Sequence, residues 1–221
     1  MKGSSYTLED PKVTNLLDRL YAQAIANDNS LKPQMEAAAR QLVDWDDRKL
    51  APVLDHAFMA IAPEVGRLFY LLVRTHKPKL VVEFGTSFGI SAIHIAAALR
   101  DNGLGRLITT EQNPRKVEQA GAHLVEAGLA DLVEIYSGDA FQTLADIPPI
   151  DLLVLDGWKV LYLPLLKQLE PRLSKGSLVI ADDVTSMRER LTAYLAYVRN
   201  PANGYISCEV PIDDGFELSI R

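Results

Sequence analysis

The sequence contains a single cysteine, Cys208, among its 221 residues. A disulfide framework within the chain is therefore excluded, and a zinc site built from cysteine is disfavoured because such a site draws on several thiolates. The first residues, MKGSSYTLEDPK, lack the apolar core of a secretory signal peptide. No apolar run approaches the roughly 20 residues that a membrane-spanning helix needs. These absences predict a cytoplasmic protein that works away from a membrane.

Positive charge is also scarce, with 23 Lys and Arg against 29 Asp and Glu and a net charge of −6. No cluster of basic residues stands out, whereas a nucleic-acid surface needs a basic stripe that displaces counterions. A nucleic-acid partner is therefore not expected. The hydrophobic fraction of 48% and the charged fraction of 24% are those of an ordinary globular protein, long enough to bury a core without cross-links.

Helical periodicity dominates residues 1–77, which contain no clear strand. Asp10 before Pro11 suits a helix N-cap followed by proline at the first helical position. A helix is therefore predicted over 9–26, with an apolar stripe made of Val13, Leu16, Leu17, Leu20 and Ile25. Two more helices are predicted over 32–45 and 62–76.

After residue 78, short aliphatic runs alternate with helical stretches. Such runs are typical of strands covered on both faces, and the alternation is typical of right-handed crossovers in a parallel sheet. The runs cover 79–84, 106–111, 132–137, 151–156 and 177–182, and helices are predicted near 89–100, 114–127, 139–145, 160–173 and 186–199. The last residues, YISCEVPIDDGFELSIR, predict a hairpin that turns at Asp213–Asp214–Gly215. The expected fold is α/β, a mostly parallel seven-stranded sheet with an antiparallel C-terminal hairpin and helices on both faces.

The residues directly after each run are the informative ones, because ligands of such sheets bind outside the carboxyl ends of the strands. After the first run, EFGTSFGIS places a tight turn between Gly85 and Gly89. The pattern is G-x-x-x-G and not the G-x-G-x-x-G of dinucleotide sites, so a nicotinamide cofactor is disfavoured. The loop suits a ligand without a pyrophosphate, and a plain turn is the equally weighted alternative.

Two acidic residues follow the next two runs. Glu111 ends the second run, where an acid can accept the ribose hydroxyls of a nucleoside. The alternative is a negative charge that favours the start of the next helix. Asp139, in SGDA after the third run, can reach an adenine amino group or simply cap the following helix.

The last two runs of the parallel sheet end in LDGWK and IADDVTS. Asp156, Asp182 and Asp183 would repel one another at neighbouring strand ends, and a hard divalent cation such as Mg²⁺ relieves that repulsion. Trp158 offers an aromatic face to a sulfonium or an adenine. Lys159, partly desolvated beside a metal, is expected to have a lowered pKa, as a general base needs. Taken singly, Trp158 in the core and Lys159 as a helix start are the alternatives.

Taken in order, VVEFGTSFGIS, TTEQNP, LDGWK and IADDVTS resemble the catechol O-methyltransferase-like enzymes, which use S-adenosyl-L-methionine (SAM) and include the caffeoyl-CoA O-methyltransferases and small bacterial relatives. The resemblance covers about 56–221, and LDGWK and ADDV are its specific parts. It implies a Rossmann-like class I methyltransferase fold and one domain over 1–221. In that domain, 1–55 would form a helical lid or oligomerisation segment and 56–221 the SAM-binding catalytic core.

The resemblance also implies a role for individual residues. Lys159 would be the catalytic base, and Asp156, Asp182 and Asp183 would bind Mg²⁺ or another divalent cation such as Ca²⁺ or Mn²⁺. The SAM pocket would comprise Met59, Ile61, Glu83, Gly85, Ser91, Glu111, Asp139, Ala140, Asp156 and Trp158. The methyl acceptor would be a phenolic small molecule, a catechol with two adjacent hydroxyls, and the protein would pair as a homodimer.

The chain departs from the family pattern in three places. Gly157 stands where the catechol enzyme has a histidine that touches the cofactor. Asp183 stands where the family usually has asparagine, which adds a negative charge. The family's substrate-contacting acid falls near Cys208–Glu209. Two alternatives stay open at this point: a metal-independent SAM methyltransferase acting on another nucleophile, and a SAM-binding protein without turnover.

Overall fold

A computed structural model of the chain describes residues 6–42 and 46–221. The helices are α1 (Pro11–Arg40), α2 (Ala51–Leu54), α3 (Pro63–His76), α4 (Ile90–Asn102), α5 (Pro114–Ala127), α6 (Ala140–Thr143), α7 (Tyr162–Leu169) and α8 (Thr192–Val198). The strands are β1 (Leu80–Phe84), β2 (Arg106–Glu111), β3 (Val133–Ser137), β4 (Ile150–Leu155), β5 (Leu173–Ala181), β6 (Ile206–Val210) and β7 (Phe216–Ile220). Short 3-10 turns join several of them, and the turn Lys159–Leu161 leads directly into α7.

The strands form one seven-stranded sheet in the order β3-β2-β1-β4-β5-β7-β6. β1 to β5 run parallel, and β7 pairs antiparallel with both β5 and β6. The fold predicted from the alternating runs and the terminal hairpin is confirmed. The strand order reverses between β1 and β4, which is where ligands of open α/β sheets bind.

Helices cover both faces of the sheet because the central strands are apolar on both sides. Val81 and Val154 belong to the core cluster that includes residues of α1, α3, α4 and α5. Their strand neighbours Val82 and Leu155 belong to the opposite cluster, together with residues of α7 and α8. The alternate residues of each strand thus enter different clusters, as the period of two in a strand requires.

The N-terminal helix differs from the prediction. α1 runs unbroken over Pro11–Arg40, whereas the sequence predicts two helices, 9–26 and 32–45. Pro33 lies in an exposed part of α1, and the helix continues through it. Residues 43–45, the end of the second predicted helix, lie outside the described residues. The expected cap is present, because the Asp10 carboxylate accepts a hydrogen bond from the Lys12 N–H at 2.8 Å.

One residue of the expected apolar stripe is misassigned. Ile25 is 65% exposed, while the four other predicted members are buried. Ala24, four positions after Leu20, takes the buried place instead. Ile25 is one position further on, and one helical residue rotates a side chain by about 100° away from the stripe.

The predicted helix over 186–199 begins only at Thr192. Val184, Thr185 and Ser186 donate their N–H groups to carbonyl oxygens of the turn between β6 and β7. Those carbonyls belong to Asp214 and Gly215, and the contact is so close that a Cβ on Gly215 would overlap the Thr185 side chain. These contacts hold the segment after Asp183 against the hairpin, and the regular helix begins only beyond it.

Arg221 lies at the edge of the sheet that is opposite the carboxyl ends of the parallel strands. Ile220 pairs with Leu178, which is in register with Leu152 in the first half of β4, and the Arg221 N–H donates to the Ser177 carbonyl at 3.0 Å. Among the residues that the structure describes, no helix combines the length and the apolar character that a membrane span requires.

Candidate active site

The carboxyl ends of β1, β4 and β5 meet at one edge of the sheet. The Asp156 N–H donates to the Phe84 carbonyl at 2.9 Å, and the Asp182 N–H donates to the Leu155 carbonyl at 3.0 Å. Gly85, directly after β1, has a φ of +105° and packs against the Asp156 backbone. A Cβ on Gly85 would lie within 3.0 Å of the Asp156 carbonyl oxygen, so only glycine allows these two turns to meet.

A cavity of about 810 Å³ opens at this edge. The residues of the predicted SAM pocket that line it are Met59, Gly85, Glu111, Asp139, Ala140, Asp156 and Trp158. Ile61, Glu83 and Ser91 are buried and do not line it. The volume is that of a pocket for a ligand of cofactor size.

The N-terminal region covers one side of this cavity with residues 46–59, which we name the roof segment. The roof segment contributes Asp46, Arg48, Lys49, Ala51, Leu54, Asp55 and Met59 to the lining. Asp28 of α1 anchors the end of the segment, since its two carboxylate oxygens accept hydrogen bonds from the N–H groups of Phe58 and Met59, each at 2.8 Å. The N-terminal region therefore forms part of the site.

Glu111 ties the glycine loop to the second strand. Its carboxylate accepts a hydrogen bond from the Ser87 N–H and another from the Asn113 N–H, both at 2.9 Å. The Ser87 hydroxyl donates in turn to the Phe58 carbonyl of the roof segment at 2.7 Å. A carboxylate that is fixed at both oxygens and borders the cavity is well placed to accept ribose hydroxyls, because each oxygen keeps a further lone pair.

Glu83 lies fully buried behind the glycine loop. Burial raises the pKa of its carboxyl to about 7, against the hydrogen bonds from Ser91 and Thr109, and the charge of Glu111 adds to the rise. The Thr109 hydroxyl donates to Glu83 Oε2 at 2.6 Å. Within the described parts of the chain, Oε1 has no hydrogen-bond partner. Glu83 thus keeps one buried acceptor oxygen unused directly behind the loop.

Asp156, Asp182 and Asp183 form a cluster in which one carboxylate oxygen of each lies within 4.8 Å of the others. Burial raises the pKa of Asp156 well above its usual range, and the charge of Asp182 adds to the rise. Burial and then the charge of Asp183 raise the pKa of Asp182 to about 7. Three mutually repelling oxygen donors on rigid strand ends are the ligand type that Mg²⁺ and Ca²⁺ prefer, so the residues present fit a hard divalent cation.

Lys159 reaches into this cluster. Its Nζ lies 2.6 Å from Asp183 Oδ2 and 3.7 Å from Asp156 Oδ1, and it donates a hydrogen bond to the Tyr162 hydroxyl at 2.8 Å. Burial by itself lowers the pKa of Lys159, but Tyr162 and the three carboxylates outweigh burial and raise the pKa well above its usual value. The sequence predicts a lowered pKa for Lys159, and this prediction is wrong. The pKa is raised because the ammonium balances the negative charge of the three carboxylates.

Asp139 and Trp158 each have both of the roles that the sequence leaves open, a structural one and one in the wall of the cavity. Asp139 caps α6 by accepting a hydrogen bond from the Phe141 N–H at 2.8 Å, and it also borders the cavity. Trp158 packs against buried residues of the core and of the roof segment while it lines the cavity.

The acid near the position of the family's substrate-contacting residue has other partners. Glu209 pairs with Arg188 and with Arg199, the latter at 2.9 Å, and accepts a hydrogen bond from the Thr185 hydroxyl at 2.8 Å. The hydrogen bonds from Arg188, Thr185 and Arg199 lower the pKa of Glu209 to about 2. Glu209 therefore stabilises the segment after Asp183 and does not line the cavity.

Three residues that support the site are not predicted from the sequence: Asp28, Asp47 and Tyr162. Asp47 is buried, and its carboxylate accepts a hydrogen bond from the Lys159 N–H. Neither aspartate has a sequence signal, because an acid in a polar helical region resembles a solvated surface residue. Tyr162 had one signal, its position three residues after Lys159 at the start of a helix, which allows the two side chains to meet.

The chain is similar in sequence and in fold to known methyltransferases. Residues 82–184 match a family described as a methyltransferase domain. Catechol O-methyltransferase B of Danio rerio is 30% identical over 214 residues, which cover 86% of this chain and 79% of that protein. The catechol O-methyltransferase of Mycobacterium tuberculosis is 31% identical over 163 residues, 69% of this chain and 72% of that protein. An O-methyltransferase of Bacillus cereus, solved in complex with SAH, shares the fold with a TM-score of 0.65 and 19% identity over 85% of this chain and 96% of that one.

Proposed function

Since the chain belongs to the catechol O-methyltransferase family and is a SAM-dependent O-methyltransferase, we propose that it methylates one hydroxyl of a catechol-like small molecule with the help of a divalent cation. The observation that carries the proposal is the meeting of three strand-end carboxylates with Lys159 beside the cavity. The two adjacent hydroxyls of a catechol match a cation that has several oxygen ligands and open positions.

The metal part of the proposal assigns Asp156, Asp182 and Asp183 as ligands. All three offer carboxylate oxygens, and burial raises the pKa of Asp156 and Asp182 although Lys159 opposes the rise, which means that the protein compensates their charged forms only in part. A divalent cation bound there would supply positive charge that stabilises all three carboxylates and favours loss of a proton from an acceptor hydroxyl. Mg²⁺ is the first candidate, with Ca²⁺ and Mn²⁺ as the others.

The cofactor part assigns the cavity to SAM. Gly85 permits close approach of the loop, Glu111 would accept the ribose hydroxyls, and Trp158 would pack on the adenine or near the sulfonium. Met59, Asp139 and Ala140 would complete the wall. Ile61, Glu83 and Ser91 would support the site from behind the wall, and Glu83 and Ser91 would order the loop at the amino-acid end of SAM.

Lys159 is assigned as the base. Its Nζ takes the proton of the acceptor hydroxyl, and this requires the neutral amine. Positive charge placed among Asp156, Asp182 and Asp183 weakens their stabilisation of the ammonium and so lowers its pKa. SAM supplies a methyl group on a positively charged sulfur. The walls of the cavity would orient the acceptor hydroxyl towards the methyl group, and this orientation would be the main contribution of the protein.

The proposal is tested by methyl transfer from labelled SAM to catechols, including caffeoyl derivatives, with Mg²⁺ and again with EDTA. A matched set of phenols with a single hydroxyl serves as the control for the need for two adjacent oxygens. The expected result is transfer to catechols alone, abolished by EDTA and restored by Mg²⁺. Equal transfer to both sets would contradict the catechol assignment, and SAM binding without any transfer would favour a non-catalytic SAM-binding protein.

A metal-independent methyltransferase is the second candidate, and one observation favours it. The Lys159 ammonium, 2.6 Å from Asp183, already supplies one positive charge to the carboxylate cluster. In that case the cluster would need no further cation, and transfer would survive EDTA. The homodimer, the lid or oligomerisation role of residues 1–55 and the cytoplasmic location stay predictions. Sedimentation of the full chain would test the homodimer.

A further inference from the structure

We infer that Asp47 is a positioning residue for Lys159, contributed by the N-terminal region from far along the chain. The inference rests on the proposed role of Lys159 as the base. The Asp47 carboxylate accepts a hydrogen bond from the Lys159 N–H, a contact between residues 112 positions apart. The aspartate therefore anchors the backbone of the turn that carries the base.

The local structure explains why Asp47 points inward. Asp46 caps the 3-10 turn Asp47–Leu50 by accepting a hydrogen bond from the Arg48 N–H at 3.1 Å. This turn buries Leu50 in a small core cluster, against which Trp158 also packs. Asp47, at the start of the same turn, is only 7% exposed and meets the chain directly after Trp158.

The contact meets a requirement of the Lys159 turn. The first N–H groups of a helical turn have no partner within the turn, and Trp158, at the cap position, supplies no side-chain hydrogen bond. Burial raises the pKa of Asp47, while the N–H groups of Lys159 and Val160 oppose the rise. Asp47 thus acts as a cap that is provided by a distant segment. Without it, the Lys159 backbone would lose the contact that fixes where the side chain begins.

The same contact links the base to the cofactor cavity. The roof segment has an aspartate contact near each end, Asp47 with the Lys159 turn and Asp28 with Phe58 and Met59. Residues between these contacts line the cavity. In this structure the roof segment therefore borders the cavity and, through Asp47, also holds the Lys159 turn.

The test separates a role of Asp47 in positioning Lys159 from a role in holding the roof segment in place. With saturating SAM and Mg²⁺, Asp47→Ala is expected to lower kcat about tenfold or more, because a small misplacement of a reacting group is enough for such a loss. Asp47→Asn keeps an acceptor oxygen and should restore most of kcat. Asp28→Ala loosens the roof segment without touching Lys159, so it should change KM for SAM more than kcat. If Asp47→Ala instead changes KM for SAM more than kcat, as expected for Asp28→Ala, the inference is overturned.

The structural control is Asp10→Ala, which removes another aspartate cap far from the cavity. It should lower thermal stability in the manner of a lost cap and leave kcat and KM unchanged. If Asp47→Ala does not fold, the Asp47→Asn and Asp47→Ser variants carry the comparison, since serine retains an acceptor on a shorter side chain. Asparagine should keep most of kcat, whereas the shorter serine side chain reaches the Lys159 N–H poorly and should lower kcat about tenfold or more. Wild-type kcat in Asp47→Ser together with an unchanged KM would overturn the inference.

A second readout does not depend on turnover. Acetic anhydride acetylates accessible amines, and Lys159, whose side chain is 10% exposed, should react slowly compared with the exposed Lys167. Asp47→Ala should raise the ratio of Lys159 to Lys167 acetylation, measured by mass spectrometry of the peptides. An unchanged ratio would overturn the positioning role. If the wild type methylates no catechol, the proposed function fails, and the acetylation ratio alone decides the role of Asp47.

Discussion

Gly85 and Asp156 touch backbone to backbone at the point where the strand order reverses, and a Cβ on Gly85 would lie within 3.0 Å of the Asp156 carbonyl oxygen. We expect Gly85→Ala to lower the thermal midpoint and to abolish SAM binding, measured by calorimetry. Gly103→Ala is the control: its φ of +65° is also left-handed, but nothing lies near its Cβ, so it should lose only about 1–2 kcal/mol. If the two variants lost the same stability and the same SAM affinity, backbone strain alone would explain the effect of Gly85→Ala.

Removal of the Lys159 amine tests the assignment of the base. Lys159→Ala should leave the Kd for SAM close to wild type and lower kcat by about 100-fold or more, the usual contribution of a general base. Lys167→Ala is a matched control on the following helix, where the lysine packs over the Tyr197 ring and is remote from the carboxylate cluster. Wild-type kcat in Lys159→Ala would remove Lys159 from the mechanism.

The three carboxylates are expected to differ in importance. Asp183→Asn removes one negative charge but keeps an oxygen donor, and the family usually has asparagine at this position, so metal-dependent transfer should persist at a higher Mg²⁺ requirement. Asp156→Asn changes the ligand that follows β4 and should abolish the response to Mg²⁺. Asp146→Asn, at a 97% exposed side chain, is the neutral control. Mg²⁺ titration of the transfer rate gives the comparison, and identical curves for all variants would contradict a metal site.

His94 makes stability depend on pH. Burial lowers its pKa to about 4, against the Ile90 carbonyl that contacts Nδ1 at 2.9 Å. The unfolded chain binds this proton near pH 6.5, so the stabilising contribution is complete above that pH and is lost as the pH falls towards 4, by about 3 kcal/mol in total. In denaturant unfolding, the free energy of unfolding should fall less between pH 6.5 and 4.5 for His94→Asn than for the wild type. For the exposed His76→Asn it should fall as much as for the wild type. Parallel curves for His94→Asn and wild type would rule out this contribution.

Arg199 and Glu217 form an ion pair in which the carboxylate side chain is fully buried. Arg199 Nε donates to Glu217 Oε1 at 2.8 Å, and Arg199 Nη2 donates to Glu217 Oε2. Arg199→Ala leaves a buried charge unpaired and should reduce the free energy of unfolding by about 3–5 kcal/mol. Arg172→Ala breaks an exposed pair with Asp146 and should cost about 1 kcal/mol or less. Urea unfolding distinguishes them, and losses of equal size would show that burial of Glu217 is unimportant.

Residues at strand ends were predictable because their local signal is strong. An aliphatic run that ends in a polar residue fixes both a strand and the edge at which Glu111, Asp156 or Asp182 will lie. Parallel strands bring those ends together whatever the helices between them do. The sheet, its hairpin and the carboxylate cluster therefore follow from patterns within a few residues.

Residues that act across long separations were not predictable. Asp47 and Lys159 are 112 positions apart, and no periodicity or spacing connects them. The raised pKa of Lys159 depends on its distances to Asp183 and Asp156, which a sequence does not contain. The unbroken helix through Pro33 is likewise a property of the folded chain.

The position of Arg221 has a consequence for handling the enzyme on a surface. Its N–H is bound to Ser177, so the chain leaves the sheet at the edge opposite the cavity. A tether fused after this residue would orient every immobilised molecule with its cavity towards the solution.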